Sequence, residues 1–175
     1  MRRPVVALLL ACLVGGLAPT PLPAEPQAYF SPDGGIFAAL VREIEEADTS
    51  IDVAIFDFTA AELAAALVRA RDRGVAVRVV ADSRQAAGRH SAIPVLVAAG
   101  IEVRLIRGKG RGIMHNKFAI FDGRLLVTGS YNWTGSAEAW NYENALFLDD
   151  PALIARYTAR FERLLARPAV TPAAR

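Results

Sequence analysis

Residues 113–128 constrain the fold of this chain more than any other segment. Two apolar runs, residues 113–121 and 124–128, flank the dipeptide formed by Asp122 and Gly123. Asp-Gly between strand-like runs is a strong signal for a two-residue hairpin turn, because both central residues adopt positive φ there. The segment therefore predicts two adjacent antiparallel strands.

The rest of the chain alternates between strand-like and helix-like segments. Thr59 is expected to cap the second helix and Gly74 to end it. This alternation predicts a single α/β domain, a sandwich in which helices flank a mixed β-sheet of about seven strands. The predicted strands are residues 28–30, 51–58, 75–81, 101–106, 113–121, 124–128 and 141–148, and the predicted helices are residues 36–47, 60–73, 91–99 and 151–165.

Residues 1–24 are expected to form a secretory signal peptide. Arg2 and Arg3 precede an apolar run at residues 5–18, and a Pro-rich stretch follows, with Ala24 as a suitable cleavage position. The run is short for a membrane span, and an uncleaved anchor is the alternative. The sequence thus predicts a periplasmic or secreted protein whose folded domain is residues 25–175.

The loss of the leader changes two bulk properties. Cys12 is the only cysteine, so the mature chain is expected to form no disulfide. The full chain has 20 basic and 18 acidic side chains. Removal of Arg2 and Arg3 leaves the two kinds equal in number, so polyanion binding must come from a local patch.

Such a patch is predicted in residues 104–124, which hold six basic residues and one acidic residue. Lys109 and Arg111 alternate with glycines there, an arrangement that lets backbone and side chains approach a phosphate chain closely. Both are predicted substrate-binding residues. A solvated loop without a ligand is the alternative.

Polar side chains with a common chemistry surround the predicted hairpin. His115 and Lys117 are two residues apart on one strand and should face the same side. A turn at Ser130 returns the chain so that Asn132 meets them. An imidazole beside an ammonium and an amide presents a nucleophile next to two donors for phosphate oxygens, and Ser130 adds a hydroxyl donor. The pattern is H-x-K-x4-D-x6-G-S-x-N, formed by His115, Lys117, Asp122, Gly129, Ser130 and Asn132.

A neutral imidazole that attacks phosphorus needs a partner on its other ring nitrogen. Glu143, on the next predicted strand, is the candidate partner for His115. Asp122 completes the motif, but its position in the hairpin turn indicates a bond to turn backbone or to a nearby basic group. Gly129 is expected to serve a tight turn.

The motif resembles that of the phospholipase D superfamily, the phosphohistidine phosphodiesterases. Residues 29–32, 51–59, 73–78 and 99–104 are also similar to its small single-motif bacterial endonucleases. The resemblance implies a two-step reaction without metal, in which one histidine attacks phosphorus and a second protonates the leaving oxygen. It implies a catalytic site composed of His115, Lys117, Asp122, Ser130, Asn132 and Glu143, with Lys117 and Asn132 also contacting the substrate.

Single-motif members of this family form dimers, and this chain has one motif. His90 is its only other histidine and has no motif around it. The resemblance therefore implies a symmetric homodimer in which His115 of each subunit meets at the two-fold axis.

No cofactor or metal is expected. Asp52, Asp57 and Asp82 lie near strand ends and are interpreted as ordinary solvated or capping carboxylates. The mature chain is expected to contain two histidines and no cysteine, which are too few ligands for a typical zinc site. Trp133 and Trp140 flank the motif and either stack on bases or pack beneath the loop.

The predicted function is a non-specific endonuclease that cleaves DNA and/or RNA, with nucleic acid as its partner. A phospholipase D or cardiolipin-type lipid hydrolase is the alternative and would need an exposed apolar rim near the site. A nucleic-acid-binding module without turnover is a third interpretation.

Overall fold

A seven-stranded mixed sheet forms the centre of the protein in the computed structural model, which describes residues 25–170. The predicted signal peptide, residues 1–24, lies outside the described residues. The strands are β1 (Gln27–Ser31), β2 (Ser50–Ile55), β3 (Ala76–Asp82), β4 (Glu102–Ile106), β5 (Lys117–Phe121), β6 (Leu125–Gly129) and β7 (Glu143–Leu148). The helices are α1 (Ile36–Glu46), α2 (Ala61–Asp72), α3 (Ser83–Ala86), α4 (Ile93–Ala98), α5 (Gly135–Ala139) and α6 (Pro151–Leu165). The predicted fold class is confirmed.

The strand order β1-β7-β6-β5-β2-β3-β4 joins a parallel half to an antiparallel half. Strands β2, β3 and β4 are parallel, and β5 runs antiparallel to β2. Strands β6, β7 and β1 continue the antiparallel half. The carboxyl ends of β2, β3, β4 and β6 therefore share one edge of the sheet with the amino end of β5. We call this the upper edge, where Ile55, Asp82, Ile106, Lys117 and Gly129 lie.

Each face of the sheet has its own apolar core. Alternation along β2 places Val53 in one core and its neighbour Ala54 in the other. Helices α1, α2 and α4 cover the first face. On the second face α6 buries Ile154, Phe161 and Leu164 against the sheet. Within residues 25–170, no helix is long and apolar enough to cross a membrane.

Several predicted boundaries differ from the structure. Helices α3 and α5, of four and five residues, were not predicted. The predicted strands at residues 51–58 and 113–121 are shorter, because β2 ends at Ile55 and β5 begins at Lys117. Thr59 does not cap α2. Helix α2 has no side-chain cap, and the backbone N–H groups of Thr59 and Ala60 donate instead to the carbonyl oxygen of Trp133.

The predicted hairpin between β5 and β6 is confirmed. Asp122 and Gly123 have φ of 52° and 62°, as a two-residue turn of this kind requires. The turn closes with a 2.9 Å hydrogen bond from the N–H of Arg124 to the carbonyl oxygen of Phe121. Glycine accepts positive φ at no steric cost, and aspartate tolerates it better than most residues.

The Asp122 carboxylate ties this hairpin to the start of β2. It accepts hydrogen bonds from the backbone N–H groups of Asp48, Thr49 and Ser50, at 2.7–3.2 Å, and from the Thr49 hydroxyl at 2.9 Å. Arg124 lies 3.5 Å from the same carboxylate. Burial disfavours the ionised carboxyl, but the backbone donors outweigh that effect and lower the pKa of Asp122 to about 2.

The Asp122 contacts predict a pH-dependent contribution to stability. We expect Asp122→Ala to lower the free energy of unfolding at pH 7 by about 2 kcal/mol, since three backbone donors lose an ionised acceptor. The folded pKa lies below the ordinary value of 3.8, so this contribution is complete above pH 3.8 and is lost as the pH falls towards 2. Urea denaturation at pH 7 and at pH 3 measures both effects.

Asp72→Ala is the matched control, because Asp72 forms an exposed ion pair with Arg71 and such pairs contribute little. A loss of stability at pH 7 no larger than that of the control would contradict the role given to Asp122.

Candidate active site

The chain before β5 is anchored by a buried carboxylate at the end of β3. Asp82 is fully buried and accepts a 2.9 Å hydrogen bond from the N–H of Met114, the residue that precedes His115. The same carboxylate caps α3 through the N–H groups of Arg84 and Gln85. The interpretation of Asp82 as a capping carboxylate is confirmed, and its second contact fixes the backbone that carries the motif histidine.

Phe56 positions the two motif residues of this segment. Its ring lies edge-on to the imidazole of His115, with centroids 4.5 Å apart. The ammonium of Lys117 lies 5.1 Å from the centroid of the same ring and donates to the backbone carbonyl of His115 at 3.1 Å. The sequence reasoning missed Phe56. Its signal was an aromatic residue directly after a buried strand at the edge where the motif begins.

The loop after β6 is fastened to the loop after β2. Trp133 is buried, its ring packs edge-on against Phe58 at 5.1 Å, and its N–H donates to the carbonyl oxygen of Asp57 at 3.1 Å. The packing interpretation of Trp133 is therefore confirmed. Because Trp133 is fixed in this way, its neighbour Asn132 is returned to the upper edge beside His115.

Gly129 is required for a close approach of strands. A Cβ at Gly129 would collide with the carbonyl oxygen of Asn144 on β7. The following N–H, of Ser130, donates to that same oxygen at 3.1 Å. The tight turn predicted at Gly129 was wrong, because Gly129 is the last residue of β6 and does not have positive φ. The residue is needed for the close approach of β7 instead.

These elements bring the predicted motif residues into one open pocket of about 430 Å³ at the upper edge. His115 is exposed and Lys117 is half-buried. The side-chain oxygen of Asn132 is buried and has no hydrogen-bond partner among residues 25–170. An unmatched buried acceptor is costly, and it leaves the Asn132 amide without a hydrogen bond that fixes its orientation through this oxygen. The lining residues are His115, Lys117, Gly129, Ser130, Asn132 and Glu143.

Glu143 lies in the pocket but does not orient His115 within the described part of the chain. Its carboxylate accepts a 2.5 Å hydrogen bond from the Ser130 hydroxyl and a 3.1 Å hydrogen bond from the Asn141 amide. Neither ring nitrogen of His115 has a hydrogen-bond partner among the described residues. The predicted Glu143–His115 hydrogen bond is absent among residues 25–170, and the Glu143 carboxylate is instead held by the Ser130 hydroxyl and the Asn141 amide.

Lys117 carries the positive charge of the pocket. Burial lowers its pKa below the ordinary 10.5, and the nearby carboxylates of Glu143 and Asp57 offset part of that effect. Burial also raises the pKa of Asp57, against the effects of a hydrogen bond from the N–H of Phe58 and of the Lys117 charge. A partly desolvated ammonium interacts with an incoming anion more strongly than one in open water.

Three predicted site residues lie elsewhere. Asp122 is at the other end of β5, about 17 Å along the strand from Lys117 at ordinary strand rise, and holds backbone as described above. It is therefore a structural residue rather than a catalytic one. Lys109 lines a separate groove beside α6. Arg111 is exposed and lines none of the described pockets, so it is not brought to His115 either.

The aspartates near the strand ends serve structural contacts. Asp52 forms a two-pronged ion pair with Arg78, at 2.7 Å for each contact. Among residues 25–170, no group of three or more His, Cys, Asp or Glu side chains is placed to hold a metal ion. His90 is exposed, accepts a hydrogen bond from Arg89 and lies outside the pocket.

Two large aromatic side chains are exposed immediately before Glu143 in the chain. Trp140 is 81% exposed and Tyr142 is 93% exposed. Of the two tryptophans that flank the motif, only Trp140 is therefore available to a ligand. Tyr142 is an exposed aromatic residue that the sequence reasoning did not consider. We call these two exposed residues the aromatic rim; they closely precede in the chain Glu143, which lines the pocket.

Comparison with known proteins places this geometry in a family. The family model described as "Cardiolipin synthase, PLD-like domain" matches residues 40–165. The mitochondrial cardiolipin hydrolase of Xenopus tropicalis is 39% identical over 128 residues, which cover 73% of this chain and 60% of that protein. Across the mitochondrial cardiolipin hydrolases that it matches, the chain spans about half to three fifths of their length.

Two bacterial structures share the fold over nearly their whole length. Nuc from Salmonella typhimurium, a phospholipase D family member, superimposes with a TM-score of 0.76 and 31% identity, covering 86% of this chain and 99% of that one. NucT from Helicobacter pylori gives a TM-score of 0.76 and 27% identity, covering 81% and 95%. The fold, the matched domain and the grouping of the motif side chains in one pocket agree, and the chain belongs to the phospholipase D superfamily.

Proposed function

We propose that this phosphodiesterase is a metal-independent endonuclease that cleaves DNA and/or RNA through a phosphohistidine formed on His115. The observation that carries the proposal is the pocket itself. It presents an exposed imidazole whose ring nitrogens have no hydrogen-bond partner among residues 25–170, next to the ammonium of Lys117 and the side-chain amide of Asn132, whose NH2 group can donate. Those groups are what a phosphodiester needs as nucleophile and as donors.

The reaction proceeds in two displacements. A ring nitrogen of His115 attacks phosphorus, the bond from phosphorus to the leaving oxygen breaks, and a second imidazole gives that oxygen its proton. The second imidazole then takes a proton from water, which attacks phosphorus and breaks the bond to His115. Lys117 and Asn132 donate to the non-bridging oxygens, where negative charge accumulates in both steps.

The second imidazole is the reason for proposing a homodimer. Within the described part of one subunit, His115 is the only histidine that lines the pocket, and His90 lies elsewhere. A second copy of the chain, related by a two-fold axis beside the pocket, supplies His115 of the partner as the acid and base. The upper edge is open at His115, as such an arrangement requires.

Nucleic acid is favoured as substrate by the charge distribution and by the similarity of the fold to that of Nuc. Cations that have no carboxylate partner among residues 25–170 lie near the upper edge, at Lys109 and along α6. The chain also shares its fold with Nuc, at a TM-score of 0.76 and 31% identity. With the predicted leader, this supports a periplasmic or secreted nuclease.

Lipid hydrolysis is the second candidate, because two observations favour it. The curated relatives are mitochondrial cardiolipin hydrolases, with identities near 39%. The exposed Trp140 and Tyr142 also provide the rim that a lipid-facing site needs, since aromatic side chains with a polar end are suited to a membrane surface.

The chemistry is tested with supercoiled plasmid in excess EDTA. We expect the leader-free protein to nick the plasmid and His115→Ala to reduce the rate at least 1,000-fold, on the order expected when the nucleophile is lost. His90→Ala is the matched control and should cut at the wild-type rate. A strict metal requirement, or His115→Ala activity within tenfold of wild type, would overturn the proposal. If wild type spares the plasmid but hydrolyses cardiolipin vesicles, lipid is the substrate.

The shared site is tested with mixed dimers. Differently tagged wild-type and His115→Ala chains are co-expressed, and the doubly tagged species is purified. A site that needs one histidine from each subunit predicts activity below about 1% of the wild-type dimer. Independent sites predict about half, and that result, or an active monomer in sedimentation, would contradict the shared site.

A further inference from the structure

A groove lined by cations runs along α6 on the sheet face that does not carry α1 and α2. It consists of two adjoining cavities of about 480 Å³ and 440 Å³, which share Asn116, Arg160 and Arg163. We call it the α6 groove. Its basic lining residues are Arg107, Lys109, Arg156, Arg160, Arg163 and Arg167.

The arginines of α6 form one row. Arg156, Arg160 and Arg163 follow one another at four and three residues, so they lie on one side of the helix over about 10 Å. Arg167 continues the row just past the end of the helix. Consecutive phosphates of a stacked strand are about 3.4 Å apart along the axis, so the row spans about three of them.

These cations have no carboxylate partners in the part of the chain that the structure describes. Within residues 25–170, Arg42, Arg69, Arg71, Arg73, Arg78 and Arg124 form ion pairs, and none of them lines the α6 groove. No Asp or Glu lines the groove either. Glu162, the one acidic residue of α6, is turned to Arg78 at 2.8 Å. Like charges held together without a counter-charge repel one another, so the arrangement is relieved by a bound polyanion.

The α6 groove adjoins the pocket that contains His115, because consecutive residues of the motif segment line the two. Asn116 lines both groove cavities, while its neighbours His115 and Lys117 line the pocket. The Asn116 amide is turned to the sulfur of Met114 at 3.4 Å, on the side away from His115. A chain that leaves the pocket over the upper edge therefore meets the groove next.

The chemistry of α6 favours a nucleic-acid strand over a membrane. Helices that lie on membranes insert large apolar side chains. No large apolar residue of α6 is exposed, and Ile154, Phe161 and Leu164 are buried in the second core. The cations also line a concave groove, which fits a narrow chain better than a flat surface.

We propose that the α6 groove binds the phosphate backbone of the nucleic-acid strand beyond the reacting phosphate, an inference that rests on the proposed nuclease function. The groove contacts phosphates and reads no base, in keeping with cleavage that has little sequence preference. Arg160 and Arg163, which line both cavities, are its central contacts.

The test compares a groove variant with a charge-matched control. The groove variant is Arg160→Gln/Arg163→Gln. The control is Arg69→Gln/Arg71→Gln on α2, which removes the same charge from exposed ion pairs on the other face of the sheet. Each is assayed on a single-stranded oligonucleotide of about 20 nucleotides, long enough to leave the pocket, and on bis(4-nitrophenyl) phosphate, which only the pocket can hold.

We expect the groove variant to lower kcat/KM for the oligonucleotide about tenfold and to leave the small diester within about twofold of wild type, because only the oligonucleotide loses phosphate contacts. The control should leave both within about twofold. If the groove variant behaves like wild type on both substrates, the result contradicts binding of the strand in the α6 groove and leaves the proposed nuclease function intact. Sedimentation of the groove variant as a monomer would also contradict the proposal, because it would show that these arginines form a contact between subunits.

Direct binding separates this inference from the proposed function. If wild type cleaves neither substrate, the nuclease function fails, but oligonucleotide binding against salt concentration still tests the groove. Loss of two phosphate contacts should lessen the slope of log affinity against log salt by about 1.4. An unchanged slope would contradict the proposed phosphate contacts of the α6 groove. So would a loss of cardiolipin-vesicle binding with unchanged oligonucleotide binding, which would assign the arginines to a lipid surface.

Discussion

The pairing of β5 with β2 is the constraint on which the rest of the structure depends. It joins the parallel and antiparallel halves of the sheet, with Ile55 opposite Lys117 and Ile51 opposite Phe121. Because the pair is antiparallel, the start of β5 meets the end of β2, and the motif histidine comes to lie on Phe56. At the opposite end the Asp122 carboxylate fixes the register through the backbone of residues 48–50. A slip of one residue would turn Lys117 to the other face of the sheet.

In the proposed function, the pocket and the α6 groove make different contributions to the binding of a polyanion. In the pocket the single ammonium of Lys117 lies near the two carboxylates of Glu143 and Asp57, which offset part of its charge. The α6 groove has the opposite character, with several cations and no acidic residue in its lining. A chain with 20 basic and 18 acidic side chains thus concentrates positive charge along one path. Local potentials of this kind attract substrate without making the whole surface basic.

The sequence predicted what depends on local chemistry. The strand and helix alternation, the Asp122–Gly123 turn and the convergence of His115, Lys117 and Asn132 follow from period, turn preference and motif spacing. What was missed depends on the fold. The Phe56 ring under His115 needs the β2–β5 pairing, and the α6 groove needs the placement of α6 on the second face. The sequence does not show that Ser130 and Asn141 donate hydrogen bonds to the Glu143 carboxylate, and Glu143 was therefore assigned to His115.

The stereochemical course at phosphorus tests the central claim, covalent catalysis by His115, most directly. The cleaved substrate is made with one non-bridging oxygen replaced by sulfur in a single configuration, and hydrolysis is run in water enriched in ¹⁸O. Each in-line displacement inverts phosphorus, so two displacements through a phosphohistidine predict a product with retained configuration. Inversion would show a single direct attack by water and would contradict the account.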